Sequence, residues 1–438
     1  MRYSQELASF DRTIRLQGTV QRPETVRHLE QLIRESPRAI ARGAGLSYSA
    51  ASFGADVVAI DMTRFDRILD FDQTSGRVVV EPGIRIGALT EFLAKHGRFL
   101  PALPGYPSIT IGGCMAFDIH GKSQVHSGNF QRWVHALTLH HAEHGLLQCS
   151  RERESELFEL TLGGMGLTGV ITRVELDTQP LSSTCVQIES LPVNDLREGA
   201  ELLKQRSADC HSSYSWHDLN RRGKAFGRGV VYVEQFVSGN LRSDEPKRRD
   251  VTKAWPLGAW NGATTSLALG AYGALARRSS RQQLPLQQAL FPIYGKEYYY
   301  ALFGRSGFRE YQVIVPHESW HAFVADLERL LERARTPVTL GSLKIFAGTQ
   351  RYLRFSGTGV CLALDVPASA RSNALFGQLD DLVLTHQGVL NLSKDSRIGA
   401  DVCQRVFPEH GDFVRALRRF DANGRYASAL TRQIGLCS

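Results

Sequence analysis

The most informative stretch is Arg42-Gly43-Ala44-Gly45-Leu46-Ser47-Tyr48, which directly follows a predicted strand at 39–41. Glycines remove side chains and permit positive φ, so successive backbone N–H groups in such a loop can converge on the oxygens of a phosphate. Taken alone, the loop is explained equally well by a tight turn between two strands. It becomes specific only together with a second loop.

The second loop lies about sixty residues further along the chain. It begins with Leu103-Pro104-Gly105-Tyr106-Pro107-Ser108-Ile109-Thr110-Ile111-Gly112-Gly113 and continues into Ala116-Phe117-Asp118-Ile119-His120-Gly121-Lys122. A long run of small residues exposes the backbone, so it can pass close to a flat ring system while its amides hydrogen-bond to that ring. Two such loops, each preceded by a strand, predict a cofactor site far more specifically than either loop alone.

A third glycine-rich motif argues against a nicotinamide cofactor. Residues 164–169, Gly-Met-Gly-Leu-Thr-Gly, match the pattern G-x-G-x-x-G. That fingerprint needs a strand before the loop and a helix after it, so that the helix N-terminus faces the pyrophosphate. Here a predicted helix at 154–160 precedes the motif and a predicted strand at 170–176 follows it. Because the order is reversed, we exclude a Rossmann site at this motif.

The order of predicted elements divides the chain into three zones. Residues 20–180 alternate short strands with helices, and residues 185–397 combine strands with helices, notably at 319–335 and 373–386. Residues from about 400 to 438 form a helical tail. We therefore predict an α+β protein with a cofactor-binding domain at 1–180, a substrate domain at 185–397 and a C-terminal helical segment at 398–438 that returns to the first domain.

One stretch of the second zone, residues 238–296, is rich in Gly, Ala, Pro and Arg and is predicted to be a long loop, which is typical of a functional lid or a disordered segment. Its portion at 267–276 is apolar but too short to span a membrane, although it could rest on one. Basic residues cluster at Lys247-Arg248-Arg249 and at Arg277-Arg278 with Arg281. A solvated surface explains these clusters simply, and contact with acidic lipid headgroups or a phosphorylated substrate is the sharper alternative.

The composition excludes several classes of protein. With 438 residues, 42% hydrophobic and 22% charged, the chain has the composition of a soluble globular protein. Its first residues, 1–17, lack the apolar core of a secretory signal, and no run approaches the roughly 20 apolar residues of a membrane span. We therefore expect a cytoplasmic protein. The net charge of +8 favours anionic partners, but no nucleic-acid-binding module accompanies it.

Neither the cysteines nor the histidines predict a metal site. The seven cysteines are scattered and odd in number, and none forms a C-x-x-C motif, so we expect reduced thiols. His140, His141 and His144 form the densest histidine group and fall within a predicted strand–turn–strand at 137–148. We expect them to be solvated hairpin residues, because no ligand spacing accompanies them.

Six short strings, spread over nearly the whole chain, carry a resemblance to a known superfamily. They are residues 42–48, Asp118-Ile119-His120-Gly121-Lys122, residues 163–170, Tyr311-Gln312, Leu343-Lys344 and Lys394-Asp395-Ser396-Arg397. The sequence resembles the vanillyl-alcohol-oxidase/p-cresol-methylhydroxylase (PCMH) superfamily of FAD-linked oxidases, and within it the decaprenylphosphoryl-β-D-ribose 2′-oxidase family. The resemblance implies an FAD-binding PCMH-type fold with an antiparallel-sheet substrate domain.

The resemblance also implies the cofactor and the residues that bind it. Members of the superfamily that attach FAD covalently have a histidine where Leu46 stands, and those with a second link have a cysteine where Tyr106 stands. Non-covalent FAD is therefore expected. The implied cofactor-binding residues are Ala41, Arg42, Gly43, Ala44, Gly45, Leu46, Ser47, Tyr48, Gly105, Thr110, Ile111, Gly112, Gly113, Phe117, Asp118, Ile119, His120, Gly121, Lys122, Ile171 and Asn391.

Four residues are implied on the substrate side, namely Lys394, His120, Gln312 and Lys344. An ammonium at Lys394 could stabilise negative charge on the flavin, orient the substrate hydroxyl or, if desolvated, act as a base. His120 is expected either to contact flavin and substrate or only to pack. Alternate residues of a strand face opposite ways, so Tyr311 and Gln312 cannot both face the pocket, and the resemblance indicates Gln312.

Two positions depart from the family with the strongest resemblance. That family has a tyrosine where Asn391 stands and a pocket cysteine where Ala363 stands, with Cys361 two residues upstream on the same strand face. These departures leave the identity of the substrate open.

The function implied by the resemblance is FAD-dependent oxidation of a secondary hydroxyl on a sugar. The preferred substrate is a polyprenyl-phosphate-linked pentose, oxidised at the ribose 2′ position as the first half of an epimerisation to arabinose. A short-chain reductase would be the partner, and the protein would contact the inner face of the membrane peripherally. The alternatives are a soluble sugar or aldonolactone oxidase using dioxygen, and a non-catalytic flavin-binding scaffold. The absent covalent histidine disfavours the first, and the retained Lys394 and His120 disfavour the second.

Overall fold

The computed structural model describes residues 2–239, 241, 254–276 and 281–437. The basic residues predicted to contact anionic partners at 247–249 and 277–278 lie outside these described residues.

The N-terminal part forms a four-stranded sheet with one helix. Its elements are β1 (Arg2–Ala8), β2 (Arg15–Gln21), α1 (Val26–Glu35), β3 (Ala39–Arg42) and β4 (Val58–Asp61). The spatial order is β1-β2-β4-β3, in which β1 and β2 are antiparallel and the other two pairs are parallel. α1 begins after Thr25, whose side chain accepts a hydrogen bond from a backbone N–H, and it buries Leu29, Leu32 and Ile33 at helical spacing.

The next part forms an antiparallel five-stranded sheet in the order β5-β6-β10-β8-β9. Its strands, with a separate β7–β11 pair, are β5 (Ile68–Asp72), β6 (Arg77–Val80), β7 (Arg98–Phe99), β8 (Val134–His141), β9 (Gly145–Ser150), β10 (Val170–Asp177) and β11 (Gln179–Pro180). Its helices are α2 (Ile86–Lys95), α3 (Ile111–Ala116), α4 (Gln124–Ser127) and α5 (Ser155–Thr161). α5 precedes the motif at 164–169 and β10 follows it, so the reversed order predicted for this motif is confirmed.

The third part is built on an eight-stranded antiparallel sheet in the order β15-β12-β14-β13-β17-β18-β16-β19. Its strands are β12 (Cys185–Val193), β13 (Ser212–Asp218), β14 (Arg228–Val237), β15 (Arg281–Pro285), β16 (Phe308–Val315), β17 (Leu340–Phe346), β18 (Gly359–Pro367) and β19 (Val389–Leu390). Its helices are α6 (Leu196–Ser207), α7 (Gly262–Ala276), α8 (Leu286–Leu290), α9 (Tyr298–Ala301), α10 (Trp320–Ala334) and α11 (Ala370–Thr385).

The C-terminal tail packs against the first sheet. It consists of α12 (Ala400–Val406), α13 (His410–Phe420) and α14 (Ala429–Gln433). Tyr426 pairs with Ala39 of β3 in a parallel bridge, and the Ala429 N–H donates to the Phe53 carbonyl. Buried residues from α1, α11 and this tail belong to one hydrophobic cluster, so the three parts share a core. The predicted α+β class is confirmed.

Two sequence predictions are wrong in detail. The hairpin at 137–148 is present as β8 and β9, but His140 and His141 are buried rather than solvated, because the C-terminal tail covers this end of β8 and places Tyr426 against His141. Within the described residues, 238–296 is not one long loop, since it contains α7, β15 and α8. The residues of α7 are uniformly small or apolar, so they carry no amphipathic period that would have revealed the helix.

None of the helices within the described residues is both long enough and apolar enough to cross a lipid bilayer.

Candidate active site

A cavity of about 370 Å³ lies where the first two sheets meet the eight-stranded sheet. Ligand pockets in proteins usually enclose about 300–1,000 Å³, so the cavity is of ligand size. Its lining has two sides. The loop wall comprises residues at 41–52, 104–120 and 161–171, and the strand wall comprises residues of β16, β17 and β18 together with 391–394.

The loop wall brings the two predicted glycine loops into contact. A Cβ atom at Gly43 would lie only 2.1 Å from Thr110 Oγ1, so only glycine allows this approach. Gly45 has φ of +69°, a conformation that glycine adopts without strain. The predicted cofactor residues that line the cavity are Ala41, Arg42, Gly43, Ala44, Gly45, Leu46, Ser47, Tyr48, Gly105, Thr110, Gly112, Gly113, Phe117, Ile119, His120, Ile171 and Asn391.

The loop wall fits FAD. Bare backbone at 43–45 and at 112–113 offers a surface that a flat ring and a pyrophosphate can approach closely, and no atom lies within 4 Å of a Cβ built at Gly105. Leu46 and Tyr106 also line the cavity, at the positions where a covalent link would require histidine and cysteine. The residues at 41–48 and 104–113 would therefore hold the cofactor without a covalent bond.

Four predicted cofactor residues do not line the cavity. Ile111 is buried in the hydrophobic core, and Gly121 packs on backbone, where a Cβ would lie 2.8 Å from the Leu103 carbonyl oxygen. Lys122 turns away, with its Nζ 2.5 Å from Glu234 Oε1 on β14. This buried ion pair ties the second loop to the eight-stranded sheet. The fourth residue, Asp118, is described next.

Asp118 is a buried carboxyl group behind the second loop. It accepts a hydrogen bond from the Gln131 N–H at 2.7 Å, and its other oxygen lies 3.4 Å from Asn129 Nδ2. Burial raises the pKa of Asp118 to about 6, and the nearby Arg354 offsets only part of this increase. Asp118 therefore supports the shape of the loop and contacts nothing in the cavity.

We expect Asp118 to make the folded protein less stable as the pH rises. Because the pKa of its carboxyl group is higher in the folded than in the unfolded chain, its contribution is fully present below about pH 4 and is lost as the pH passes through about 6. The loss amounts to about 3 kcal/mol. Urea unfolding of the parent and of Asp118→Asn between about pH 4 and pH 8 should show the difference in unfolding free energy shifting by this amount in favour of the variant. A difference that does not change with pH would contradict the expectation.

Strand alternation determines which residues of β16 face the cavity. Glu310 and Gln312 line it, whereas Tyr311 between them points away and donates its hydroxyl hydrogen to Asp380 Oδ1 at 3.0 Å. Lys344 of β17 lines the same strand wall. All four residues that the resemblance implied on the substrate side, Lys394, His120, Gln312 and Lys344, thus lie around one cavity.

Two carboxyl groups form a pair on the strand wall. Glu310 and Asp365 are directly opposite in the pairing of β16 with β18, and their side chains hydrogen-bond to each other. Such a bond requires a proton on one of them. Burial first, and then the charge of Glu310, raise the pKa of Asp365 well above its ordinary value, while the Tyr299 hydroxyl donates to Asp365 Oδ2 at 2.9 Å. Asp365 therefore holds the shared proton, and Glu310 presents the carboxylate.

Lys394 is the cation that faces this carboxylate. Its Nζ lies 3.2 Å from Glu310 Oε1 and 3.7 Å from the centroid of the Tyr48 ring, where an ammonium is attracted to the face of the ring. Tyr48 belongs to the loop wall and Glu310 to the strand wall. Lys394 thus lies between the two walls.

The residues after Lys394 anchor it. Arg397 pairs with Asp395 and with Asp380 of α11, each at 2.7 Å, and Ser396 Oγ donates to Asp11 Oδ2 at 3.1 Å. Asp395, Asp380 and Asp11 are all buried. This network fixes the backbone of the Lys-Asp-Ser-Arg string, so the ammonium is held in place from behind.

His120 lies at the junction of the walls. Its ring packs against Phe346 and Phe355, with centroid distances of 4.8 and 5.4 Å. Burial first, and then the charges of Lys344 and Lys394, lower the pKa of His120 well below its ordinary value. His120 is therefore neutral and can offer one donor or one acceptor nitrogen to a ligand.

The departures from the related family also lie here. Asn391 Nδ2 donates to Gln312 Oε1 at 2.6 Å, which orients the Gln312 amide. Ala363 lines the cavity, whereas Cys361 is buried and burial raises the pKa of its thiol to about 12. A thiol in that state is a poor nucleophile, so this chain has no reactive cysteine in place of the one that the family carries.

Sequence reasoning missed the carboxyl pair. Glu310 lies two residues before Gln312 on the same strand face, and Asp365 lies two residues after Ala363, so the period of two could have identified both. Tyr299 and Tyr300 of α9, which contact Asp365 and line the cavity respectively, had no recognisable pattern.

Comparisons with known proteins place this geometry in a family. A model described as an FAD binding domain matches residues 19–150. Decaprenylphosphoryl-beta-D-ribose oxidase of Mycolicibacterium smegmatis is 28% identical over 91% of this chain and 89% of its own length. A putative D-arabinono-1,4-lactone oxidase of Neurospora crassa is 28% identical over 51% of this chain and 40% of its own. L-gulonolactone oxidase of Mus musculus is 33% identical over 28% of each chain.

The matched range contains both glycine loops of the loop wall. The predictions of FAD as the cofactor and of a redox enzyme are confirmed. The chain is therefore an FAD-dependent oxidoreductase of the vanillyl-alcohol-oxidase/p-cresol-methylhydroxylase superfamily.

Proposed function

We propose that this enzyme oxidises a secondary hydroxyl of a sugar, and that its preferred substrate is a polyprenyl-phosphate-linked pentose oxidised at the ribose 2′ position. The observation that carries the proposal is the cluster of Lys394, Glu310 and Asp365 on the far side of the cavity from the glycine loops. The mycobacterial relative, named for a lipid-linked ribose, supports the substrate class because its match extends over both walls. A short-chain reductase acting on the keto sugar would complete an epimerisation to arabinose.

Alcohol oxidation separates a hydride and a proton, and the residues of this chain deal with the proton. When bound, FAD supplies the acceptor for the hydride of the carbinol carbon. Glu310 accepts the hydroxyl proton as the O–H bond breaks, because it presents a carboxylate to the cavity. The ammonium of Lys394, 3.2 Å from Glu310 Oε1, stabilises the negative charge that develops on the substrate oxygen. Asp365 keeps its proton and donates it to Glu310, which prevents two adjacent carboxylates from repelling each other.

The remaining polar side chains orient the sugar. Gln312, fixed by its 2.6 Å hydrogen bond from Asn391, presents its amide to the cavity. Lys344 and the neutral His120 are placed to hold further hydroxyl groups of a pentose ring. These groups would act on the substrate and would not take part in proton removal.

The lactone-oxidase relatives favour a second candidate, a soluble sugar or aldonolactone oxidase that uses dioxygen. Their matches cover only 51% and 28% of this chain, so they support this candidate less than the full-length relative supports the first. A non-catalytic scaffold is disfavoured because the anchored Lys394 and the carboxyl pair have no structural need to face a cavity.

The proposal is tested by mixing the FAD-loaded enzyme anaerobically with a short-chain prenyl-phosphoryl ribose or with an aldonolactone. We expect rapid bleaching of the flavin absorbance with the phosphoribose and little with the lactone. Faster bleaching by the lactone, followed by rapid reoxidation in air, would favour the second candidate. No bleaching by any sugar would favour the scaffold.

We expect the flavin to leave the protein on denaturation. Leu46 and Tyr106 offer no nucleophile suited to a covalent flavin link. Acid precipitation of the yellow protein should therefore move all flavin absorbance to the supernatant, with Leu46→His as a variant in which a link could form. Flavin retained in the pellet of the parent protein would show that another residue is attached to it.

A further inference from the structure

We propose that α7 and the segment before it form a surface that docks on an anionic lipid bilayer. This inference deepens the proposed function, on which it rests, because a polyprenyl-phosphate substrate is embedded in a membrane. The docking surface is defined by the outer face of α7 together with the exposed side chains of Trp255, Leu257 and Leu267.

The outer face of α7 is apolar and exposed. None of the fifteen residues from 262 to 276 is charged. Leu267 is 76% exposed, and Leu257 and Trp255 in the preceding segment are 83% and 53% exposed. Soluble proteins rarely leave large apolar side chains this exposed side by side unless they bind a partner or a membrane there.

The inner face of α7 is held against the eight-stranded sheet. Thr265 is buried, and seven residues later the Tyr272 hydroxyl bonds to that of Tyr232 on β14, while its ring lies 5.7 Å from that of Trp216. Positions seven apart lie on the same face of a helix. The helix is therefore attached along this face, and its opposite face remains uncovered.

The docking surface adjoins the wall of the cavity. The Trp255 N–H donates to the Ala301 carbonyl at 3.1 Å, and the Trp260 indole N–H donates to the Tyr299 carbonyl at 3.2 Å. Tyr299 bonds Asp365, and the neighbouring Tyr300 lines the cavity. A lipid-linked sugar lying beneath the docking surface would therefore be close to the residues that act on it.

Charge complementarity selects a bilayer as the occupant. Arg277 and Arg278 follow α7 directly in the sequence, and Lys253 precedes Trp255 by two residues, so chain connectivity keeps these cations near the apolar surface. Cations next to an apolar face bind acidic lipid headgroups, and tryptophan favours the boundary between headgroups and acyl chains. In a self-associated pair, the same cations of two copies would repel each other. A helix of fifteen residues is too short to span the bilayer, so it would lie in the interface.

The experiment is co-sedimentation of the FAD-loaded enzyme with phosphatidylglycerol-containing vesicles, without substrate. We expect binding to these vesicles and much less to pure phosphatidylcholine vesicles. The double variant Leu257→Asp/Leu267→Asp should bind about tenfold more weakly or worse, since both leucines would enter the interface. The matched control is Leu69→Asp/Leu146→Asp, which places the same charges on β5 and β9, where the leucines are 42% and 57% exposed. Retained flavin absorbance shows that each variant is folded.

Three outcomes would overturn the docking surface. They are no vesicle binding by the parent enzyme, equal loss in the two double variants, and a dimer in light scattering that only Leu257→Asp/Leu267→Asp disrupts, since a second copy would then be the occupant. The test is separable from that of the proposed function. Vesicle binding without oxidation of a prenyl-phosphoryl ribose sinks the function alone, and oxidation without vesicle binding sinks the docking surface alone.

Discussion

Lys394→Ala is expected to lower kcat by about 10³ while leaving the flavin content unchanged. The ammonium lies 3.2 Å from Glu310 Oε1 and over the Tyr48 ring, between the wall that holds the cofactor and the wall that holds the sugar. Its loss removes the positive charge that stabilises the developing oxyanion and leaves the Glu310 carboxylate without its cation. The measurement is the rate of anaerobic flavin bleaching by a prenyl-phosphoryl ribose, together with the flavin-to-protein absorbance ratio.

The matched control is Lys95→Ala, which removes an exposed lysine of α2 that pairs only with Glu91 in the same helix among its described ion pairs. It should leave the rate unchanged, because surface pairs of this kind contribute little. Lys394→Arg should recover part of the rate, since it restores the charge with a different shape. Unchanged bleaching in Lys394→Ala would mean that the cluster on the strand wall is not the active site.

Glu310→Gln is expected to lower kcat by about 10²–10³, because it removes the proposed proton acceptor and keeps the side-chain shape. The variant should also lose the rise of activity with pH that the parent enzyme shows as its carboxyl pair ionises. The measurement is the pH dependence of anaerobic bleaching in both proteins. Glu24→Gln, at an exposed position before α1, is the matched control.

The partner of Glu310 gives a second comparison. Burial keeps Asp365 protonated, so Asp365→Asn replaces one neutral group by another and should lower the rate by only about tenfold or less. Equal large losses in Glu310→Gln and Asp365→Asn would show that the two carboxyl groups act as one unit. A larger loss in Asp365→Asn would reverse the roles proposed for them.

Much of the loop wall was predictable because its chemistry is local. Gly43 and Gly45 are required by backbone geometry over a few neighbouring residues, and the exclusion of a Rossmann site at 164–169 follows from the order of adjacent elements. The facing of Gln312 likewise follows from the period of a strand and the resemblance. Lys122 shows the limit of this reasoning, since it belongs to a specific string and yet pairs with Glu234 on a distant strand.

The sequence by itself determined the cofactor class, the α+β architecture and most of the residues around the cavity, because each rests on a local pattern or on a resemblance of short strings. Only the tertiary structure decided which charges meet. Glu310, Asp365 and Lys394 are separated by 55 and 84 positions from Glu310, and their shared proton and ion pair exist because the β16–β18 register and the anchored loop bring them together. Exposure of α7 is also a tertiary property, since an apolar segment buries or exposes its side chains according to what packs against it.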